Sequence, residues 1–237
     1  MNFTKFRTLA CAAVVLFFSV ATGSAHYLWI TVDPLEDEHA VNVIFEHGLK
    51  PRDGSYIPHF VRRGTTWYYD GEAVRTLDVK DTREGDLRWL RGTIQPEGPY
   101  AVSSYGLFGV YRYGEMDVLL HYYAKHISPT AVAELPTFAR AETLDLDLVP
   151  SLDSDGNVTV QLLWKGDPVA GRKITIRGGT IKNPFTGEDG RITFRPKKPG
   201  MHTFLGSFEE KKAGTDPADG RAYVRVRHAT TLTLEVP

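Results

Sequence analysis

Short runs of β-branched and aromatic residues, cut repeatedly by Gly, Pro, Asp and Asn, leave this chain little choice but β-structure. Leu28, Ile30 and Val32 alternate with Tyr27, Trp29 and Thr31, the period-two pattern of a strand with one face buried. Val41, Val43 and Phe45 repeat it, with His39 and His47 on the same parity. Asp70-Gly71 marks a hairpin between residues 65–69 and 72–79. Further runs cover 100–105, 106–113 and 117–126, the last read as a strand because of its aromatic content. Residues 128–145, with Pro129 and Pro136, read as a connection containing at most one helical turn. Beyond it, turns at Asp155-Gly156-Asn157, Lys165-Gly166, Glu188-Asp189-Gly190 and Pro199-Gly200 separate about seven short strands. The expected fold class is all-β. It comprises two β-rich modules, 26–140 and 146–237, the second an immunoglobulin- or prealbumin-like sandwich.

The first 25 residues read differently, as a secretory signal. Lys5 and Arg7 supply the charged start, 9–20 the apolar stretch, and Thr22-Gly23-Ser24-Ala25 the small-residue exit. Cleavage after Ala25 makes His26 the amino terminus and places the product in the periplasm or outside the cell. Such a residue offers a metal both its α-amine and its imidazole, a favoured ligand for Cu, Ni and Zn. The single cysteine, Cys11, lies within the signal, so the processed chain has neither disulfide nor thiolate and any metal must bind through N and O. No later apolar run reaches the roughly 20 residues a membrane helix needs. With 28 basic against 29 acidic residues, the chain carries no basic surplus for nucleic acid.

Several segments together resemble the bacterial periplasmic family of nickel-uptake substrate-specific (NikM-like) domains. They are Ala25-His26 with its following strand, Phe45-Glu46-His47-Gly48, and Leu119-Leu120-His121-Tyr122-Tyr123-Ala124-Lys125. Gly166-Asp167-Pro168-Val169-Ala170-Gly171, Gly187-Glu188-Asp189-Gly190-Arg191-Ile192-Thr193-Phe194 and Arg227-His228-Ala229-Thr230-Thr231-Leu232-Thr233 complete the set. The second half is also similar to the regulatory β-sandwich of carboxypeptidases. The resemblance implies an exported protein that accompanies uptake of Ni or Co, with a membrane metal transporter as its partner.

His26, His47 and His228 are the candidate metal ligands, drawn from strands far apart in sequence. With the α-amine they offer four nitrogens, a set suited to Cu(II) or Ni(II). His121 and His126 have opposite parity and so do not share one site on a regular strand; His39, His59 and His202 read as surface or loop residues. Gly-x-Ser-x-Gly, His-Glu-x-x-His, phosphate-loop and dinucleotide motifs are all missing from the sequence. The expected function is therefore metal capture or uptake without catalysis. Two other readings stand beside it: a non-catalytic sandwich for cell-surface or protein–protein interaction, and a copper monooxygenase with a terminal-histidine brace.

Overall fold

The computed structural model describes residues 26–128, 132–178 and 182–236; the expected signal, 1–25, lies outside them. The first half of the chain forms β1 (Tyr27–Pro34), β2 (His39–Glu46), α1 (Ile57–Arg63), β3 (Gly64–Tyr69), β4 (Val74–Leu77), β5 (Lys80–Glu84), β6 (Leu87–Ile94), β7 (Tyr100–Tyr113) and β8 (Met116–Ser128). After α2 (Leu135–Ala139) come β9 (Leu146–Leu152), β10 (Val158–Trp164), β11 (Asp167–Pro168), β12 (Thr175–Arg177) and β13 (Arg191–Phe194). The chain closes with β14 (Gly200–Glu210), β15 (Gly214–Thr215), β16 (Ala222–Tyr223) and β17 (Arg225–Val236). The protein is all-β, and no helix among the described residues is long and apolar enough to cross a membrane.

Three sheets stack in layers. A seven-stranded sheet, ordered β12-β14-β17-β8-β7-β3-β4, lies in the middle. On one face sits the sheet β1-β2-β6-β5, and on the other the sheet of β9, β10, β11 and β13. The central sheet draws strands from both halves of the chain, joined where β17 runs parallel to β8 from Arg225↔Val118 to Leu234↔Ile127. The expected boundary at 140–146 falls in the link between α2 and β9, while the sheet itself is shared.

Burial on two faces explains the composition of β8. Val118, Leu120, Tyr122 and Ala124 enter the core under β1 and β2, whereas Tyr123 and Ile127 enter the core under β9 and β10. A strand covered on both sides reads as a nearly continuous apolar run, which is why aromatic content rather than alternation marked its segment as a strand. The two runs expected at 100–105 and 106–113 are one strand, β7, bent by a bulge between Leu107 and Gly109. Gly109 has φ 106°, and the irregularity leaves Phe108 packed in the core facing β1 and β2. Gly106 does a second job: a Cβ there would stand 2.1 Å from the Phe60 ring, so the bare backbone lets α1 seat on β7. That helix is a correction to the sequence reading, which had no helix at 57–63. Its short length and the preceding Pro/Gly-rich loop hid the Ile57/Phe60 spacing that buries it.

One polar pair lies deep in this apolar structure. Lys125, fully buried on β8, pairs with Asp147 on β9 and donates to the Ala139 carbonyl at the end of α2. Asp147 in turn accepts from the Ala141 amide at 2.9 Å. Burial pushes the Lys125 ammonium below its ordinary pKa, and the Asp147 charge opposes that shift. The pair thus clips the inter-module link to the central sheet. Asp147→Ala, which strands a buried ammonium, is expected to cost about 3–5 kcal/mol in urea denaturation, and Lys125→Met combined with Asp147→Leu to regain most of it.

Candidate functional site: a metal centre at the end of the first hairpin

Pairing of β1 with β2 is antiparallel and fixed at Tyr27↔Glu46 and Leu28↔Phe45. Continuing this register by one position sets His26 opposite His47. Directly opposed residues on antiparallel strands project to one side within side-chain reach, and the two imidazole rings lie 4.2 Å apart between centroids. Glu46, almost fully buried, brings Oε2 to 3.7 Å from His26 Nε2. One ligand atom from each of His26, Glu46 and His47 lies within 4.8 Å of the others.

The hairpin is held from several sides. Thr231 and Thr233 of β17 donate their hydroxyls to the Leu28 and Ile30 carbonyls at 2.6 and 2.9 Å. These bonds pin β1 across the central sheet. The Trp29 indole donates to the Glu46 carbonyl at 2.9 Å, and Arg177 donates to the His47 carbonyl at 2.8 Å. His26 packs against Phe45 and edge-on to Tyr56, with centroids at 5.6 and 5.3 Å. The backbone carrying the donors is therefore fixed by contacts outside the donors themselves.

Two imidazoles and a carboxylate form a borderline-to-hard N/O set, suited to Cu(II), Ni(II), Co(II) or Zn(II). At metal–ligand bonds of about 2.1 Å, the 3.7 Å between His26 Nε2 and Glu46 Oε2 spans an angle of roughly 120°.

His228 does not join this group. On β17 it has the parity of Leu232 and Leu234, which face β9 and β10, whereas Ala229 faces β1 and β2. Its ring packs 4.2 Å from Trp164 and is bonded at both nitrogens, with Tyr123 at 3.1 Å and Glu210 at 3.0 Å. The parallel register places it beside His121, and the two rings stack at 4.8 Å. His121 Nδ1 meets the Tyr105 hydroxyl at 2.9 Å. The sequence set of His26, His47 and His228 is thus divided between opposite faces of the central sheet. Parity within β17 was legible; which face looked toward β1 was not, because that depends on the long-range pairing with β8.

The other histidines also have places. His126 is buried against the Thr233 hydroxyl at 2.8 Å, His39 meets the Tyr100 hydroxyl at 3.1 Å, and His59 stacks on Phe108 at 4.4 Å. His202, expected at the surface, is buried in β14 with Nδ1 on the Gly200 carbonyl. Glu46 is the residue the sequence reading passed over as a ligand. Its adjacency to His47 at the end of an apolar strand, where a buried acid has no ordinary reason to lie, was the available signal.

A cavity of about 480 Å³ opens beside the site, with His26 as the shared wall. Aromatic side chains dominate its lining, among them Tyr27, Tyr56, Phe108, Tyr111 and Tyr113, and Arg112 and Arg227 also reach it.

No protein-family model matches this chain, and no curated protein matches it. Among solved structures it is similar to the crystal structure of chicken CNTN1 FN1-FN3 domains, at 10% identity and a TM-score of 0.21. The match covers 86% of this chain and 66% of that one. At that score the likeness carries no weight for architecture or function.

Burial of histidines elsewhere in the fold makes its stability sensitive to acid. Desolvation lowers His126 to about 4; desolvation first, then the His228 and Arg63 charges, lower His121 to about 4. His228 is also lowered by burial, with Glu210 opposing. Unfolded histidines titrate near 6.5, so between about pH 6.5 and 4 the unfolded chain binds more protons than the folded one. Stability is then complete above about pH 6.5 and declines as the pH falls toward 4, by a few kcal/mol. Urea midpoints at pH 7.5 and 4.5 are expected to show this loss, and His126→Gln to reduce the difference.

Proposed function

We propose that this protein is exported and binds a transition metal through His26, Glu46 and His47, capturing Ni, Co or Cu for uptake. The observation that supports it most is the register of β1 and β2, which opposes His26 and His47, together with the buried Glu46 carboxylate 3.7 Å from His26 Nε2. In this reading Glu46 takes the place first assigned to His228. A signal peptidase cut after Ala25 frees the His26 α-amine, which joins the same ion once the ring turns to bind through Nδ1, giving three nitrogens and one oxygen. Such a set favours the tetragonal geometry of Cu(II) and also serves Ni(II). The metal is cargo, and the protein performs no reaction upon it.

Capture for uptake also follows from the resemblance of the sequence segments to NikM-like domains, which makes a membrane metal transporter the receiving partner. The chemistry suits release as well as capture. Imidazoles bind metals only when neutral, so proton competition weakens the complex below about pH 6.

Purified exported protein is expected to begin at His26 by intact mass and to retain one Cu(II) or Ni(II) per chain in isothermal titration. His47→Ala and Glu46→Gln should each weaken binding at least tenfold, whereas His228→Gln, on the other face of the central sheet, should leave it within twofold. Loss of affinity only in His228→Gln would reverse the assignment. No metal retained by the wild-type protein would end it.

A further inference from the structure

The metal-binding reading leaves an unfilled requirement, and the cavity beside His26 answers it. Three protein side chains, or four donors with a free amine, do not complete the six positions that Ni(II) and Co(II) ordinarily fill. Two or three positions remain for water or for a second ligand. The cavity begins at the His26 ring, and its volume of about 480 Å³ falls within the range of small-molecule sites.

Its lining specifies the kind of molecule. Tyr27, Tyr56, Phe108, Tyr111 and Tyr113 present flat apolar faces. Tyr111 and Tyr113 stand 4.8 Å apart and remain 41% and 38% exposed, a large aromatic area to leave in water at a strand end. Such rings favour a planar, unsaturated guest, packed by offset or edge contact. Arg227 enters the same wall, and it meets Tyr113 as well. Its nearest carboxylate, on Glu209, is at 3.8 Å, too long for a direct hydrogen bond, so the guanidinium can still grip a carboxylate from the guest. Arg112 is different: it is committed to Asp117 at 2.7 Å and to the Gly114 carbonyl at 2.9 Å.

We propose that the cavity binds a small planar aromatic carboxylate that chelates the metal, so that the protein captures a metal–chelate complex rather than the bare ion. The aromatic walls hold the ring of the chelator, Arg227 pairs with its carboxylate, and its donor atoms fill positions left open by His26, Glu46 and His47. This proposal rests on the metal site proposed above. It explains why an aromatic cavity with a cationic group adjoins His26, an arrangement that binding of a bare ion does not require.

Pyridine-2-carboxylate is a suitable probe, being planar and bidentate through one nitrogen and one oxygen. Ni(II) affinity is first measured alone by titration, then native mass spectrometry is recorded with Ni(II) and the probe together. A complex of protein, Ni(II) and pyridine-2-carboxylate in equal numbers is expected. Arg227→Gln should weaken the ternary complex at least tenfold relative to its effect on Ni(II) alone, and Tyr111→Ala should weaken it in the same sense. Far-ultraviolet circular dichroism of each variant establishes that it is folded. Removal of Ni(II) from the wild-type protein by the probe, with no ternary mass, would overturn the chelate proposal while leaving the metal site standing. A ternary complex indifferent to Arg227→Gln and Tyr111→Ala would overturn it equally. No binding of Ni(II) in the first titration would overturn the chelate proposal, and no binding of Cu(II) in a parallel titration would overturn the metal site with it.

Discussion

The parallel pairing of β8 with β17 is the constraint on which the remaining structure depends. It takes a strand from each half of the chain and makes one sheet of them, with both faces covered. Everything on that sheet then acquires a side. Apolar residues of β8 divide between two cores, and Lys125 is left in the interior, where only Asp147 and the Ala139 carbonyl make its charge tolerable. The threonines of β17 look the other way and hold β1 by its carbonyls. A residue near the first strand is thereby positioned by the last strand, some 200 residues later in the chain.

The candidate metal centre grows out of that arrangement by simple register. Once β1 is fixed over β17 and paired to β2, His26 and His47 are opposed; Glu46 has the other parity, at the strand end, and its carboxylate reaches His26 Nε2 at 3.7 Å. None of these residues needs an unusual backbone. The same sheet separates His228 from them and gives it a different life, bonded to Tyr123 and Glu210 and stacked on His121. Two groups of histidines with different solvation result. One includes His26, partly exposed in the cavity wall; in the other, whose His121 lines the same cavity, desolvation lowers the pKa of both His121 and His228.

Local features of the fold were legible in the sequence because they obey local rules. Alternation in residues 27–32 and 41–45 marked β1 and β2, and Asp70 bonds the amides of Glu72 and Ala73 in the turn it announced. The helical turn between the halves appeared as α2. What escaped was set by contacts between distant segments. Helix α1 is only seven residues long and exists because Gly106 leaves room for Phe60. The fusion of the runs at 100–105 and 106–113 into β7 needed a bulge that no spacing displays. For the candidate site, residue chemistry proposed His26 and His47, whereas the face of His228 and the nearness of Glu46 to His26 depended on the tertiary structure.

The central claim is that the end of the first hairpin is a two-imidazole metal site. Pulsed electron paramagnetic resonance of the Cu(II)-loaded exported protein tests it most directly, since remote imidazole nitrogens give a characteristic modulation that counts the histidines bound. Modulation from two imidazoles is expected in the wild-type protein, falling to one in His47→Gln. A spectrum without imidazole nitrogen, or one that His47→Gln leaves unchanged, would contradict it.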